Sequence, residues 1–103
     1  SLDMIAGRFR LLGEPMRLRI LHRLGNGEMS VGELVAATGA NQANISKHLG
    51  ILLDAGVLAR RKEGLTANYR VVDPSIFNIC DIVCAGLRSQ FEIRHAELMG
   101  IAD

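Results

Sequence analysis

Between residues 30 and 61 the chain reads SVGELVAATGANQANISKHLGILLDAGVLARR. Few folds accommodate that order of patterns. Val31, Leu34 and Val35 recur at helical spacing over 30–38, and Ile45, Leu49, Leu52 and Leu53 do so over 42–54. Thr38-Gly39-Ala40-Asn41 breaks the two segments apart. Ser30 is a good N-cap with Glu33 at capping-box spacing, and Asn41 can cap the second helix. Gly56 ends that helix, and Val57-Leu58-Ala59-Arg60-Arg61 then reads as a strand that turns basic. The order is that of a helix-turn-helix over 30–54 followed by a wing over 57–72. Such a device sets one helix in the DNA major groove.

The flanking segments complete a small helical domain. Met4, Ile5, Ala6, Phe9 and Leu12 predict a helix over 3–12. Gly13-Glu14-Pro15 interrupts it, and Pro15 suits the first turn of a helix over 15–24. That helix should turn Leu18, Ile20, Leu21 and Leu24 inward and Arg17, Arg19 and Arg23 outward, and Gly25-Asn26-Gly27 should stop it. The second wing strand falls at Asn68-Tyr69-Arg70-Val71-Val72, after a turn near Glu63-Gly64-Leu65-Thr66. Asp73-Pro74-Ser75 opens a long helix over 74–99, with a cap and a proline near its start. The expected fold is one domain over 1–103, mainly α with a β-hairpin wing (α+β), with no repeat, low-complexity tract or linker.

Composition narrows the function class. There is no Trp and aromatics are 4%, so the core must be aliphatic, which argues against a stacking platform for single-stranded nucleic acid. The net charge of +1 is unevenly spread. Over residues 41–70, Lys47, Arg60, Arg61, Lys62 and Arg70 against Asp54 and Glu63 leave +3, which puts the rest of the chain at −2. A local basic face matters more to phosphate than the total does. No charged start leads into an apolar run and no stretch of 18 apolar residues occurs, so neither a signal peptide nor a membrane span is expected. Two cysteines suit a reducing, cytoplasmic setting. Ser1 rather than a methionine opens the sequence, which leaves room for residues before it.

Opposite the apolar side of 42–54 lie Ala43, Ser46, Lys47 and Gly50, with Gln42 and Asn44 at the N-terminal end. Amides pair with adenine edges, Lys with guanine or phosphate, and Ala meets the thymine methyl, while Gly50 allows close approach. The ordinary alternative is a solvated polar face. The wing's Arg60, Arg61 and Lys62, with Arg70, can reach phosphate or an adjacent minor groove. Here the alternative is a charged edge strand that resists aggregation.

These motifs carry a resemblance. Phe9-Arg10-Leu11-Leu12-Gly13-Glu14-Pro15-Met16-Arg17-Leu18-Arg19-Ile20-Leu21 resembles the opening signature of the ArsR/SmtB winged-helix repressors. Gln42-Ala43-Asn44-Ile45-Ser46-Lys47-His48-Leu49 resembles their recognition helix, and Ala55-Gly56-Val57-Leu58 through Tyr69-Arg70-Val71 their wing. The match spans roughly residues 5 to 90, with the motifs in order. It implies a homodimer joined through the first and last helices, bound to a double-stranded DNA operator and released by an inducer.

The family's metal sites are not matched. Where many relatives carry Cys-Val-Cys-Asp-Leu, this chain has Ser30-Val31-Gly32-Glu33-Leu34, without a soft ligand. For the zinc-type site on the last helix Asp73 matches, but Ser75, Gly86 and Ser89 stand where His is needed. Cys80 and Cys84 remain as candidate sensing thiols. At i and i+4 they share a helix face with Cβ atoms about 5–6 Å apart. A direct disulfide wants roughly 3.5–4.5 Å, so a bridging arsenic(III) or sulfane sulfur spans the gap more easily. Cys80 is in register with Ile76, Val83, Leu87 and Phe91, the expected dimer stripe. Both cysteines equally suit plain apolar packing, since no neighbour clearly lowers a thiol pKa and Asp81 tends to raise it. His22, His48 and His95 are scattered; His48 sits at the edge of the buried face, and His95 reads as a surface residue.

The expectation is therefore a DNA-binding repressor and not an enzyme, with an inducer that is arsenic(III), reactive sulfur or an oxidant at Cys80 and Cys84. Competing readings are a winged-helix regulator without thiol chemistry, and a protein-interaction module on the same fold. A peroxidase or disulfide-exchange role is weak, because there is no Cys-x-x-Cys and no activating base.

Overall fold

Capping chemistry sets most of the helix ends. In the computed structural model, which describes residues 1–100, the order is α1 (Leu2–Leu12), α2 (Pro15–Leu24), β1 (Met29–Ser30), α3 (Val31–Thr38), α4 (Gln42–Asp54), β2 (Leu58–Glu63), β3 (Thr66–Val71) and α5 (Ser75–Leu98). The last three positions of the expected 1–103 domain lie outside the described residues. The Ser30 hydroxyl accepts from the Glu33 amide while the Glu33 carboxylate accepts from the Ser30 amide, closing the capping box of α3. Gly39 ends α3 at φ 74, a left-handed conformation that β-carbon-bearing residues adopt at a cost. Asn41 caps α4 through its side-chain oxygen. Pro15 stands at the first turn of α2, capped by the Glu14 carboxylate.

The chain divides into two compact units, Ser1–Asp73 and the segment from Pro74 onward. The first holds a core of Ile20, Leu21, Leu34, Ile45, Leu49, Leu52 and Val57, all fully buried and all aliphatic. The fold is that expected, mainly helical with a small antiparallel sheet. The sheet has three strands in the order β1-β3-β2 rather than a bare hairpin. Two residues are too few to show a period in sequence, and β1 exists because Met29 and Ser30 pair with Tyr69 and Asn68 across the chain. The wing turn is the pair Gly64-Leu65, with Gly64 at φ 63 and Leu65 at negative φ, the signs of a type II′ turn.

Met4, Ile5 and Phe9 of α1 are exposed and only Leu12 of that helix is buried, which leaves an open apolar face on a helix expected to join two copies. Two expectations need correction, at Arg17 and at the start of α5. Arg17 does not point outward; it is half-buried and bonded to the end of α1. At the start of α5, Pro74 holds the cap position and supplies no side-chain cap, while Asp73 accepts from Arg8 Nη1 at 3.2 Å. The second unit is one helix, α5, of which only Ile76 is fully buried among the described residues. Val83, Leu87 and Phe91 of the expected stripe are exposed, and Ile82 and Ile93 beside them also face solvent.

Candidate nucleic-acid interface

The buried side of α4 is Ile45, His48, Leu49 and Leu52. That spacing turns Gln42, Ala43, Ser46 and Lys47 to solvent as one ridge, with Asn44 half-buried at its edge. Gly50 joins the same side. Beyond the helix's own backbone, a Cβ there would meet no atom of the described residues within 4 Å, so none of them requires a glycine at this helix-interior position. No carboxylate sits in the first turn of α4, so no side-chain charge there opposes an anion at its positive dipole end.

The wing divides its cations by strand alternation. Leu58, Arg60 and Lys62 lie on one face with Tyr69 and Ala67, while Ala59, Arg61 and Glu63 lie on the other with Asn68 and Arg70. The run Arg60-Arg61-Lys62 is therefore not one patch. Arg61 is occupied: its Nε donates to both oxygens of Glu28 at 3.1 and 3.2 Å, and its Nη1 donates to Glu63 at 3.1 Å. The bonded guanidinium holds the Glu28 carboxyl below the usual carboxylate range, and the two carboxylates in turn raise the Arg61 pKa. Arg60, Lys62 and Arg70 are exposed. At the tip, Leu65 is 109% exposed. Glu28 was not legible as a partner, since it lies 33 residues from Arg61 and meets it only through the β1–β3 pairing.

His48 is seated from below. It is 5% exposed, with Nδ1 3.3 Å from Arg17 Nη1 and Nε2 3.6 Å from Glu14 Oε2. Burial pushes its pKa below the ordinary histidine value, against the pull of Glu14. The sequence pattern placed Arg17 outward and did not single out Glu14, because their meeting with His48 spans more than 30 residues of chain.

On α5, Cys80 is half-buried and Cys84 exposed, both as free thiols. Burial, and after it the Asp81 charge, pushes the Cys80 thiol up. Cys84 has a cationic neighbour that the sequence reading overlooked: Arg88 Nη2 donates to its Sγ at 3.9 Å, the i,i+4 spacing of one helix face. His95 lies parallel to the Phe91 ring at 6.3 Å. No cluster of three His, Cys, Asp or Glu that could hold a metal occurs among the described residues, nor is any helix there long and apolar enough to cross a membrane.

Residues 12–61 match a family model described as a helix-turn-helix domain. Rv0081 of Mycobacterium tuberculosis has the same fold in its crystal structure, at 33% identity and a TM-score of 0.81, over 92% of this chain and 96% of that one. Mb0332 of Mycobacterium bovis, described as a homodimeric winged helix-turn-helix DNA-binding domain and a possible ArsR-family regulator, matches at 30% identity and a TM-score of 0.74, over 88% and 84%. The chain belongs to the ArsR/SmtB family of winged helix-turn-helix transcriptional regulators. Within that family it is 35% identical over 77 residues to a probable mercury resistance operon repressor of Streptomyces lividans, which spans 75% of this chain. The chain covers 62% of that repressor's length and 60% of the full length of Rv0081. For an ArsR/SmtB protein the α4 ridge is the natural candidate for reading bases, with the wing beside it.

Proposed function

We propose that this protein is a cytoplasmic, homodimeric repressor that grips a double-stranded DNA operator through α4 and the wing of each copy. The observation that carries the reading is the ridge of Gln42, Ala43, Ser46 and Lys47 beside an unfilled Gly50. Amide, methyl and ammonium groups in that row match base edges and phosphate, and β2 continues from α4 with exposed cations. Two copies are proposed because α1 and α5 each leave large apolar residues uncovered. Their two α4 helices should address half-sites about 34 Å apart or a multiple of that.

Salt-titrated binding to a duplex selected by the protein tests the assignment. Lys47→Ala should weaken binding by about 1–2 kcal/mol, roughly tenfold. The Arg60→Ala/Lys62→Ala pair should lower the salt slope by about two. Arg61→Ala should lower it less, because Glu28 and Glu63 already occupy that guanidinium. Wild-type binding by Lys47→Ala at every salt concentration would sink the role of α4.

The inducer proposed is thiophilic, either arsenic(III), reactive sulfur or an oxidant, acting at Cys80 and Cys84. Both thiols are free on one helix face, with the Arg88 guanidinium against the outer one, and a relative is named for mercury resistance. Release from DNA by arsenite, persulfide or peroxide should vanish in Cys80→Ser/Cys84→Ser. An unchanged response in that double variant would exclude the thiols. The second reading, a regulator without thiol chemistry, is favoured by the half-burial of Cys80 and its raised pKa.

A further inference from the structure

Helices α1 and α4 are joined by polar bridges that the DNA-reading surface does not use. At one end, Arg8 Nη2 donates to the Ala55 carbonyl at 3.3 Å, just past α4, while its Nη1 is held by Asp73. At the other, Arg17 donates through Nε to the Leu11 carbonyl at 2.6 Å and through Nη2 to the Arg10 carbonyl at 3.3 Å. Both carbonyls lie in the last turn of α1, and the Arg10 carbonyl also accepts from the Gly13 amide at 3.2 Å. The remaining arm of the same guanidinium reaches His48 Nδ1. Arg17 thus ties the last turn of α1 to the buried side of α4.

The chemistry fixes the state of the ring. A guanidinium only donates, so Nδ1 must present its lone pair, and the proton of the neutral imidazole sits on Nε2, on the Glu14 side. A proton on Nδ1 would turn the acceptor into a donor facing a donor and place two cations in contact. We propose that Arg17 and His48 form a latch that makes the seating of α4 depend on the position of α1 and on a neutral His48. A shift at α1 then reaches the DNA-reading ridge through the next face of the same helix, since Lys47 is adjacent to His48. Its consequence for DNA rests on the function proposed above; the latch itself does not.

Burial acts first on the ring, against its charged form. Among the charged groups acting on His48, Arg17 at the start of α2 and Lys47 of α4 oppose protonation, and only Glu14 favours it. The folded state therefore prefers the neutral ring, and a latch of this kind is closed above the ordinary histidine value of about 6.5 and opens as pH falls below it.

Nuclear magnetic resonance of the whole chain between about pH 8 and pH 5 tests the latch without DNA. Amides of residues 45–49 on α4 and of Leu11 and Leu12 on α1 should move with the midpoint of the His48 ring. In His48→Asn, whose Oδ1 keeps an acceptor near Nδ1, both sets should lose that midpoint while a thermal melt reports a folded chain. In Arg17→Lys, α4 should still follow the ring and α1 should not. Amides of α1 that ignore the ring in the wild type would overturn the latch, as would an unchanged midpoint in His48→Asn. On a duplex selected by the wild type from a randomised pool, affinity should fall roughly tenfold as His48 takes its proton, and far less in His48→Asn. Equal falls in the two proteins overturn the coupling to DNA. Failure to select any duplex would refute the DNA-reading function and leave the resonance titration to decide the latch.

Discussion

Leu87→Glu is expected to leave the protein monomeric. Leu87 is 62% exposed and Phe91, one turn further along α5, is 71% exposed, in line with Val83. Nothing in the single chain repays such a row, and a second copy would cover it. A carboxylate in that covered face must lose its water without a partner, at several kcal/mol, and two-fold symmetry applies the cost twice. The dimer should weaken by at least roughly a thousandfold. DNA affinity should fall with it, because the second half-site no longer binds as part of one particle. Sedimentation across a concentration series checks the first effect and operator titration the second. Circular dichroism should be unchanged, since the side chain is exposed in the single chain. A dimer that survives Leu87→Glu at micromolar concentration would remove α5 from the interface.

Ile45→Ala carries the largest expected loss of stability. Ile45 is fully buried at the first inward position of α4, in a mostly aliphatic core. Truncation removes buried carbon and leaves a cavity, together costing about 2–5 kcal/mol. For a domain of this size, whose stability is of order 5–15 kcal/mol, the melting temperature should drop by roughly 8–40 °C. Ser46→Ala, the exposed next residue, serves as control and should change stability by no more than about 0.5 kcal/mol. Equal melting of the two variants would mean that α4 does not face inward at Ile45.

The difference between Ile45 and Ser46 was legible before any coordinates, and so was most of the fold. Helical periodicity, the Ser30–Glu33 box, the Asn41 cap and the glycine at Gly39 are local effects, each acting within one turn of chain. They placed α3, the turn and α4 where they are found. Local information also suggested the wing, because a glycine before Leu65 permits the tight II′ geometry. It did not reveal β1, whose two residues become a strand only by meeting Tyr69 and Asn68. Nor did it reveal which cations are free. The basic run at 60–62 looks uniform in sequence, yet strand alternation and Glu28 set Arg61 apart from its two neighbours.

The thiols show the same division at smaller scale. Their i,i+4 placement on one helix face follows from the sequence and helix geometry alone. The unequal settings of Cys80 and Cys84, one half-buried beside Asp81 and one exposed against Arg88, needed side-chain positions.

By itself, then, the sequence determined the winged helix-turn-helix, its α4 ridge and the absence of the family's usual metal ligands from Ser30 and Gly32. Those follow from periodicity, capping and residue chemistry over a few neighbouring positions. The tertiary structure alone decided that Arg17 turns inward to His48 and that Glu28 occupies Arg61. Each of these depends on groups distant in the chain competing for the same buried space or the same charge, and no local pattern encodes the outcome of that competition.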